Sequence, residues 1–88
     1  MRNRLVFDGD GFEDYLYWQT QDRKTLKRIN LLIQDIDRNG YKGIGKPEAL
    51  KHEYQGYWSR RIDGENRLVY LIEDDTIRVV SCRFHYGE

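Results

Sequence analysis

The sequence predicts an α+β domain in which two helices pack on one face of a mostly antiparallel, twisted sheet of four to five strands. Three observations carry this. Leu26, Ile29, Leu32, Ile33 and Ile36 recur at helical spacing between Asp22 and Asn39-Gly40. Beyond Pro47 the chain breaks into short runs rich in β-branched and aromatic residues, separated by turn-forming residues. Finally, 88 residues with one proline and eight glycines suffice for a single domain over 1–88 and not for two.

Taken in order, Arg4-Leu-Val-Phe7 reads as a first strand, closed by a turn at Asp8-Gly-Asp-Gly11 that is able to cap a helix. Phe12, Tyr15, Leu16 and Trp18 then recur at three- and four-residue intervals. Asp10, Glu13 and Asp14 place negative charge in the first turn, where the helix dipole favours it. This first helix is expected to be brief. Asp22 caps a longer second helix, which Asn39-Gly40 stops, and the short connection makes an antiparallel helical hairpin the economical arrangement. Gly40, Gly43, Gly45 and Pro47 exclude a long regular element before Ala49 and leave either a working loop or a floppy connector. Strands are expected at roughly 50–54, 57–62, 67–72 and 77–84, forming an antiparallel meander.

Composition narrows the function classes. With 39% hydrophobic and 34% charged residues, the chain suits a compact fold and not a disordered tail. No apolar run approaches the roughly 18 residues that span a bilayer, and acidic residues follow Met-Arg-Asn-Arg-Leu-Val-Phe before a signal core forms; a cytoplasmic chain with no membrane contact is expected. The single cysteine, Cys82, has no disulfide partner and reads as a small buried apolar residue. No metal site or cofactor is expected: His52 and His85 are the only histidines and lack ligand spacing. Trp18, Tyr15 and Trp58 read as core residues.

The net charge is zero, but its distribution is uneven. Residues 40–62 carry five basic and two acidic residues, whereas residues 63–88 carry three basic and six acidic ones. In the basic window Lys42, Lys46, Lys51, Arg60 and Arg61 alternate with Tyr41, Tyr54, Tyr57 and Trp58, a mixture that suits single-stranded nucleic acid and equally a solvated loop and strand edge. With helices on one sheet face, the other is free for polar groups: Arg60, Arg61, Arg67, Arg83 and His85, with Tyr86 beyond, and Glu48, Lys51 and His52 from the loop side. An odd-length hairpin loop at Asp63-Gly-Glu65 sets Arg61 opposite Arg67, while a two-residue Asp63-Gly64 turn sets Arg60 there. Either way two guanidiniums meet. That arrangement favours an anion between them, unless the arginines splay into solvent or pair with Glu48, Glu65 or Glu73.

Six segments together carry a resemblance: Asp14-Tyr-Leu-Tyr-Trp-Gln19, Gly45-Lys-Pro-Glu48, Leu50-Lys-His52, Tyr57-Trp-Ser-Arg-Arg-Ile62, Asn66-Arg-Leu-Val-Tyr70 and Cys82-Arg-Phe-His-Tyr86. Over almost its whole length the chain resembles the YoeB/Txe toxins of the RelE superfamily. The resemblance implies a RelE-like fold and a metal-independent mRNA interferase that cuts mRNA in the ribosomal A site. It also implies a YefM/Axe-type antitoxin partner, contact with operator DNA only through the toxin–antitoxin complex, and a homodimer. Carried over by position, it implies Glu48 as general base, His85 as general acid and Arg67 as the group stabilising the transition state. Lys51 and Arg61 would contact phosphate, and Tyr86 would position substrate. The chemistry asks for the same types: 2′-hydroxyl attack needs a proton acceptor, cations for the phosphorane and a donor to the leaving 5′-oxygen.

The chain departs from the family in three places. Gly87-Glu88 follows the usual terminal His-Tyr pair, Ala49 stands where proline is common, and Asp8-Gly-Asp-Gly11 differs from the usual first turn. The expected function is therefore a ribosome-dependent endoribonuclease toxin acting on mRNA with the 70S ribosome. The alternatives are a non-catalytic RNA- or DNA-binding module and a ribosome-independent ribonuclease.

Overall fold

The computed structural model describes residues 1–84. Strand β1 (Arg4–Phe7) leads into helix α1 (Gly9–Gln21) and helix α2 (Arg23–Asn39). A glycine-rich loop follows, then β2 (Glu48–Ala49), a 3₁₀ turn (His52–Tyr54), β3 (Trp58–Arg61), β4 (Arg67–Glu73) and β5 (Thr76–Ser81). The five strands form one sheet in the order β1-β5-β4-β3-β2. β2 to β5 are the expected antiparallel meander, and β1 pairs in parallel with β5, pairing Leu5 with Ile77 and Phe7 with Val79. A parallel neighbour needs a long crossover, which the helical hairpin and the meander together supply.

The second helix forms as its caps dictate. Asp22 Oδ1 accepts hydrogen bonds from the Lys24 and Thr25 amides at 3.1 and 3.2 Å, and Gly40 ends the helix at a φ of 68°, open to glycine without penalty. Ile29, Leu32, Ile33 and Ile36 are buried, and Leu26 packs against their edge. They meet Leu68, Tyr70, Ile77 and Val79 of the sheet, so one sheet face and the α2 stripe make a common core. Trp18 and Cys82 close it, with Trp18 Nε1 donating to the Cys82 carbonyl at 2.8 Å. Burial pushes the Cys82 thiol up to about 12, which leaves it an inert apolar filler.

The first helix is longer than expected, at 13 residues, and it absorbs the predicted turn. Gly9 and Gly11 lie in its opening turn, and a Cβ on Gly11 would overlap the Val79 carbonyl of β5. The glycine therefore permits close helix-to-strand approach and does not reverse the chain. Asp8 occupies the cap position without capping; its carboxylate pairs instead with Arg78 Nη1 at 3.0 Å.

The predicted strand at 50–54 is shorter and earlier. Only Glu48 and Ala49 pair with β3, opposite Ser59 and Trp58. His52 takes a φ of 60° and turns the chain into a 3₁₀ turn, which ends the extended run. The Leu50 amide still donates to the Tyr57 carbonyl at 2.9 Å, closing the loop between β2 and β3.

Arg60 also departs from expectation: it is buried on the helix side of the sheet. Its guanidinium pairs with Asp35 of α2 and donates to the carbonyls of Gly40 at 2.8 Å, Lys42 at 2.6 Å and Ile44 at 3.0 Å. Asp35 Oδ2 accepts from the Ile44 amide at 3.0 Å, and the Gly45 carbonyl accepts from the Arg61 amide at 2.6 Å. The glycine-rich loop is therefore pinned at several points and is no floppy connector. Gly43 and Gly45 have φ of 125° and 80°, and a Cβ on Gly43 would overlap the Asp35 carboxylate. Two of the four aromatics of the basic window, Tyr41 and Trp58, turn inward as well. The Tyr41 ring stacks on Trp58 at 4.6 Å and its hydroxyl accepts from the Ile72 amide at 2.8 Å, so these rings serve the core.

Candidate active site

Alternation along a strand sends successive side chains to opposite faces. Because Arg60, Leu68 and Tyr70 face the helices, Ser59, Arg61, Arg67 and Val69 share the other face. Register then assembles the site. Arg61 lies opposite Arg67, the pairing expected of the odd-length loop, with the Ile62 amide donating to the Asn66 carbonyl at 2.9 Å. Asp63 sets that loop: its Oδ1 accepts from the amides of Glu65 at 2.8 Å and Asn66 at 2.7 Å.

Glu48 enters from β2. Its Oε1 reaches Arg67 Nη1 at 3.5 Å, an ion pair that bridges β3, since β3 lies between the strands of its two members. The separation exceeds the roughly 2.7–2.9 Å of a tight charge-assisted hydrogen bond. The Glu48 side chain is 65% exposed and that of Arg67 22%, so the carboxylate is reachable from solvent while the guanidinium is partly walled in. Arg61 is exposed and makes no ion pair among the described residues. The two arginines therefore neither both splay outward nor both find a carboxylate: Arg67 is paired, and Arg61 has no carboxylate partner among the described residues.

Lys51 is exposed at the start of the 3₁₀ turn, three residues beyond Glu48, and forms no ion pair among the described residues. His85 and Tyr86 lie outside the described residues. The chain leading to them is fastened beside Arg67: the Phe84 amide donates to Asn66 Oδ1 at 2.7 Å, and the Phe84 carbonyl accepts from the Arg67 amide at 3.1 Å. Arg83, expected among the free cations, is instead stacked on the Tyr17 ring of α1 with its guanidinium carbon 3.6 Å from the ring centroid. Its planar cation gains more over that ring than in solvent.

The second face is also less open than a half-buried sheet suggests. Glu48, Ser59, Val69 and Ser81 form one lateral row across four strands, and the last three of them are buried. The Ser59 and Ser81 hydroxyls have no hydrogen-bond partner among the described residues, and strand alternation could have flagged Ser59 as the neighbour of Glu48 once the register was known. Elsewhere, a depression of about 670 Å³ lies between the helices, lined by Gln19, Thr20, Arg23, Leu26, Lys27 and Asn30. No group of three or more His, Cys, Asp or Glu side chains converges among the described residues in a way that could hold a metal. Chemically, the sheet site offers an accessible proton acceptor against two cations, which suits an anionic substrate carrying a proton to remove.

Comparison with known proteins agrees with the fold. Residues 7–86 match the family model for the YoeB-like toxin of bacterial type II toxin–antitoxin systems. The chain is 54% identical over 83 residues to the toxin YoeB of Streptomyces coelicolor, covering 94% of this chain and 99% of that one. It superposes on the YoeB dimer of Staphylococcus aureus with a TM-score of 0.92 at 50% identity, covering 98% of this chain and 100% of that one. A heterotetrameric YoeB–YefM toxin–antitoxin complex from the same organism matches with a TM-score of 0.89, 50% identity and the same coverage.

Proposed function

The chain belongs to the family of YoeB-like toxins of bacterial type II toxin–antitoxin systems, and from that membership and the Glu48–Arg67–Arg61 cluster we propose that it is a ribosome-dependent endoribonuclease. The substrate is mRNA in the ribosomal A site, and translation stops because the message is cut. Glu48 accepts the proton of a ribose 2′-hydroxyl as its oxygen attacks the adjacent phosphorus. Arg67, with Arg61 and Lys51, holds the extra negative charge of the phosphorane, a role in which fixed cations do most when water is thin. His85 protonates the departing 5′-oxygen and Tyr86 positions the nucleotide. The P–O5′ bond breaks, leaving a 2′,3′-cyclic phosphate and a 5′-hydroxyl.

The observation that carries this reading is the loose ion pair of Glu48 and Arg67 beside Arg61, which has no ion-pair partner among the described residues. A phosphodiester entering there meets two guanidiniums and releases Glu48 for its proton. The family relatives support the partners: a second copy of the chain and a YefM-type antitoxin, as in the Staphylococcus aureus structures. Operator DNA would be met only through that complex, and the setting is the cytoplasm. No helix among the described residues is long and apolar enough to cross a membrane.

Incubating the purified protein with free RNA and with programmed ribosomes, then mapping 5′ ends, tests the activity. Cutting is expected only on the ribosome. Glu48→Gln should slow it by about 10²–10⁴-fold, the usual contribution of general base catalysis, while ribosome binding is kept. Cutting of free RNA would make the enzyme ribosome-independent, and ribosome binding without cutting by the unsubstituted protein would make it a binding module.

A further inference from the structure

A buried hydroxyl with no partner costs free energy, so a native protein that keeps one beside its reactive carboxylate calls for a reason. Ser59 is such a residue. It is 1% exposed, and its Oγ finds no hydrogen-bond partner among the described residues. It is the register partner of Glu48 across β2 and β3, and it sits two residues from Arg61 on the same face. Cross-strand partners hold their Cβ atoms about 4.5–5.5 Å apart. To meet Arg67 on β4, the Glu48 side chain leans over β3, the strand that carries Ser59.

We propose that Ser59 is a positioning residue whose hydroxyl donates a hydrogen bond to the Glu48 carboxylate once a substrate phosphate has drawn Arg67 away. The proposal rests on Glu48 being the general base. In the structure Arg67 holds the carboxylate at 3.5 Å, and the hydroxyl has no partner among the described residues. When the phosphate takes Arg67, the carboxylate loses its only ion-pair partner among the described residues. One carboxylate oxygen then accepts from Ser59 Oγ, which fixes the rotamer of a largely exposed side chain, and the other oxygen stays free for the 2′-hydroxyl proton. Ser59 has no hydrogen bond among the described residues to break in making this one.

Ser81 is the matched comparator. Its hydroxyl is equally buried and equally idle, but Val69 stands between it and Ser59 in the same row. The test measures Ser59→Ala, Ser81→Ala and Glu48→Gln by single-turnover cleavage on programmed ribosomes, with the ribosome concentration at half saturation and the thermal midpoint recorded for each. Ser59→Ala is expected to slow cleavage about tenfold or more, as loss of a hydrogen bond to a charged group does, with half saturation unmoved and the thermal midpoint no lower than that of the unsubstituted protein. Ser81→Ala is expected to cut at the unsubstituted rate. If Ser59→Ala also cuts at that rate while Glu48→Gln does not cut, the positioning role is wrong and the base assignment stands. If Glu48→Gln cuts normally, the base assignment fails first. Equal rate losses in both serine variants, accompanied by lowered thermal midpoints, would overturn the proposal in favour of a packing role.

Discussion

Neighbouring arginines on one strand have opposite fates here, and strand alternation is the cause. Arg61 stays exposed beside Arg67, whereas Arg60 is sealed among Asp35, the loop carbonyls and the Tyr70 hydroxyl, to which its Nε donates at 3.2 Å. That buried pair holds the loop leading to Glu48. Burial alone would push the Asp35 carboxyl up, but hydrogen bonds from Arg60, the Ile44 amide and Asn39 outweigh it and hold the group below its ordinary value. Breaking such a pair strands a charge, so Arg60→Met is expected to lose about 3–5 kcal/mol in urea unfolding. Adding Asp35→Leu to that variant should recover part of the loss, since replacing both partners removes the stranded charge. If the double variant is no more stable than Arg60→Met, the carbonyl contacts and not the ion pair dominate.

At the scale of elements, α2 concentrates the acid sensitivity of the fold. Asp22, Asp35 and Asp37 all have carboxyls held below the ordinary 3.8: Asp22 by the Thr25 side chain and amide, Asp37 by the Arg2 and Asn3 amides. A depressed carboxyl contributes stability that is fully present above the unfolded value and is lost as pH falls through the folded one. Asp14 opposes this. Burial raises its carboxyl, so its contribution grows as pH falls toward 3.8. With three groups against one, the thermal midpoint is expected to fall steeply below about pH 4. Asp22→Asn keeps a competent cap without a titrating group, and should flatten that descent while leaving the midpoint at neutral pH close to that of the unsubstituted protein. An unaltered descent would mean that the cap carboxylate is not among the groups that drive it.

For the whole molecule, the sheet separates two tasks. Its helix side holds the core and the loop anchor, and its other side holds Glu48, Arg61 and Arg67. A partner that closes this side should stabilise the fold by mass action. Titration with a YefM-type antitoxin to about 100 times its Kd is expected to add about 2.7 kcal/mol, or about 10–20 °C in thermal midpoint for a domain this small. It should also abolish cleavage. A midpoint indifferent to antitoxin would sink the proposed partnership.

Much of this was legible in the residues themselves. The period of Leu26 to Ile36, the Asp22 cap and the Gly40 stop placed α2 to within a residue, because those signals are local and the groups that satisfy them are neighbours in the chain. The roster of Glu48, Lys51, Arg61, Arg67, His85 and Tyr86 came from six short segments that resemble one family. Of that roster the described structure gathers Glu48, Arg61 and Arg67, leaves Lys51 at the loop, and does not extend to His85 and Tyr86. What the sequence could not decide was which arginine faces which way. Side chains alternate with a period of two, so a one-residue change in the hairpin loop exchanges the buried and exposed members of the pair. That choice rests on the Asp63 turn and on the Asp35 carboxylate 25 residues from Arg60. These contacts join distant parts of the chain, and only the assembled tertiary structure contains them.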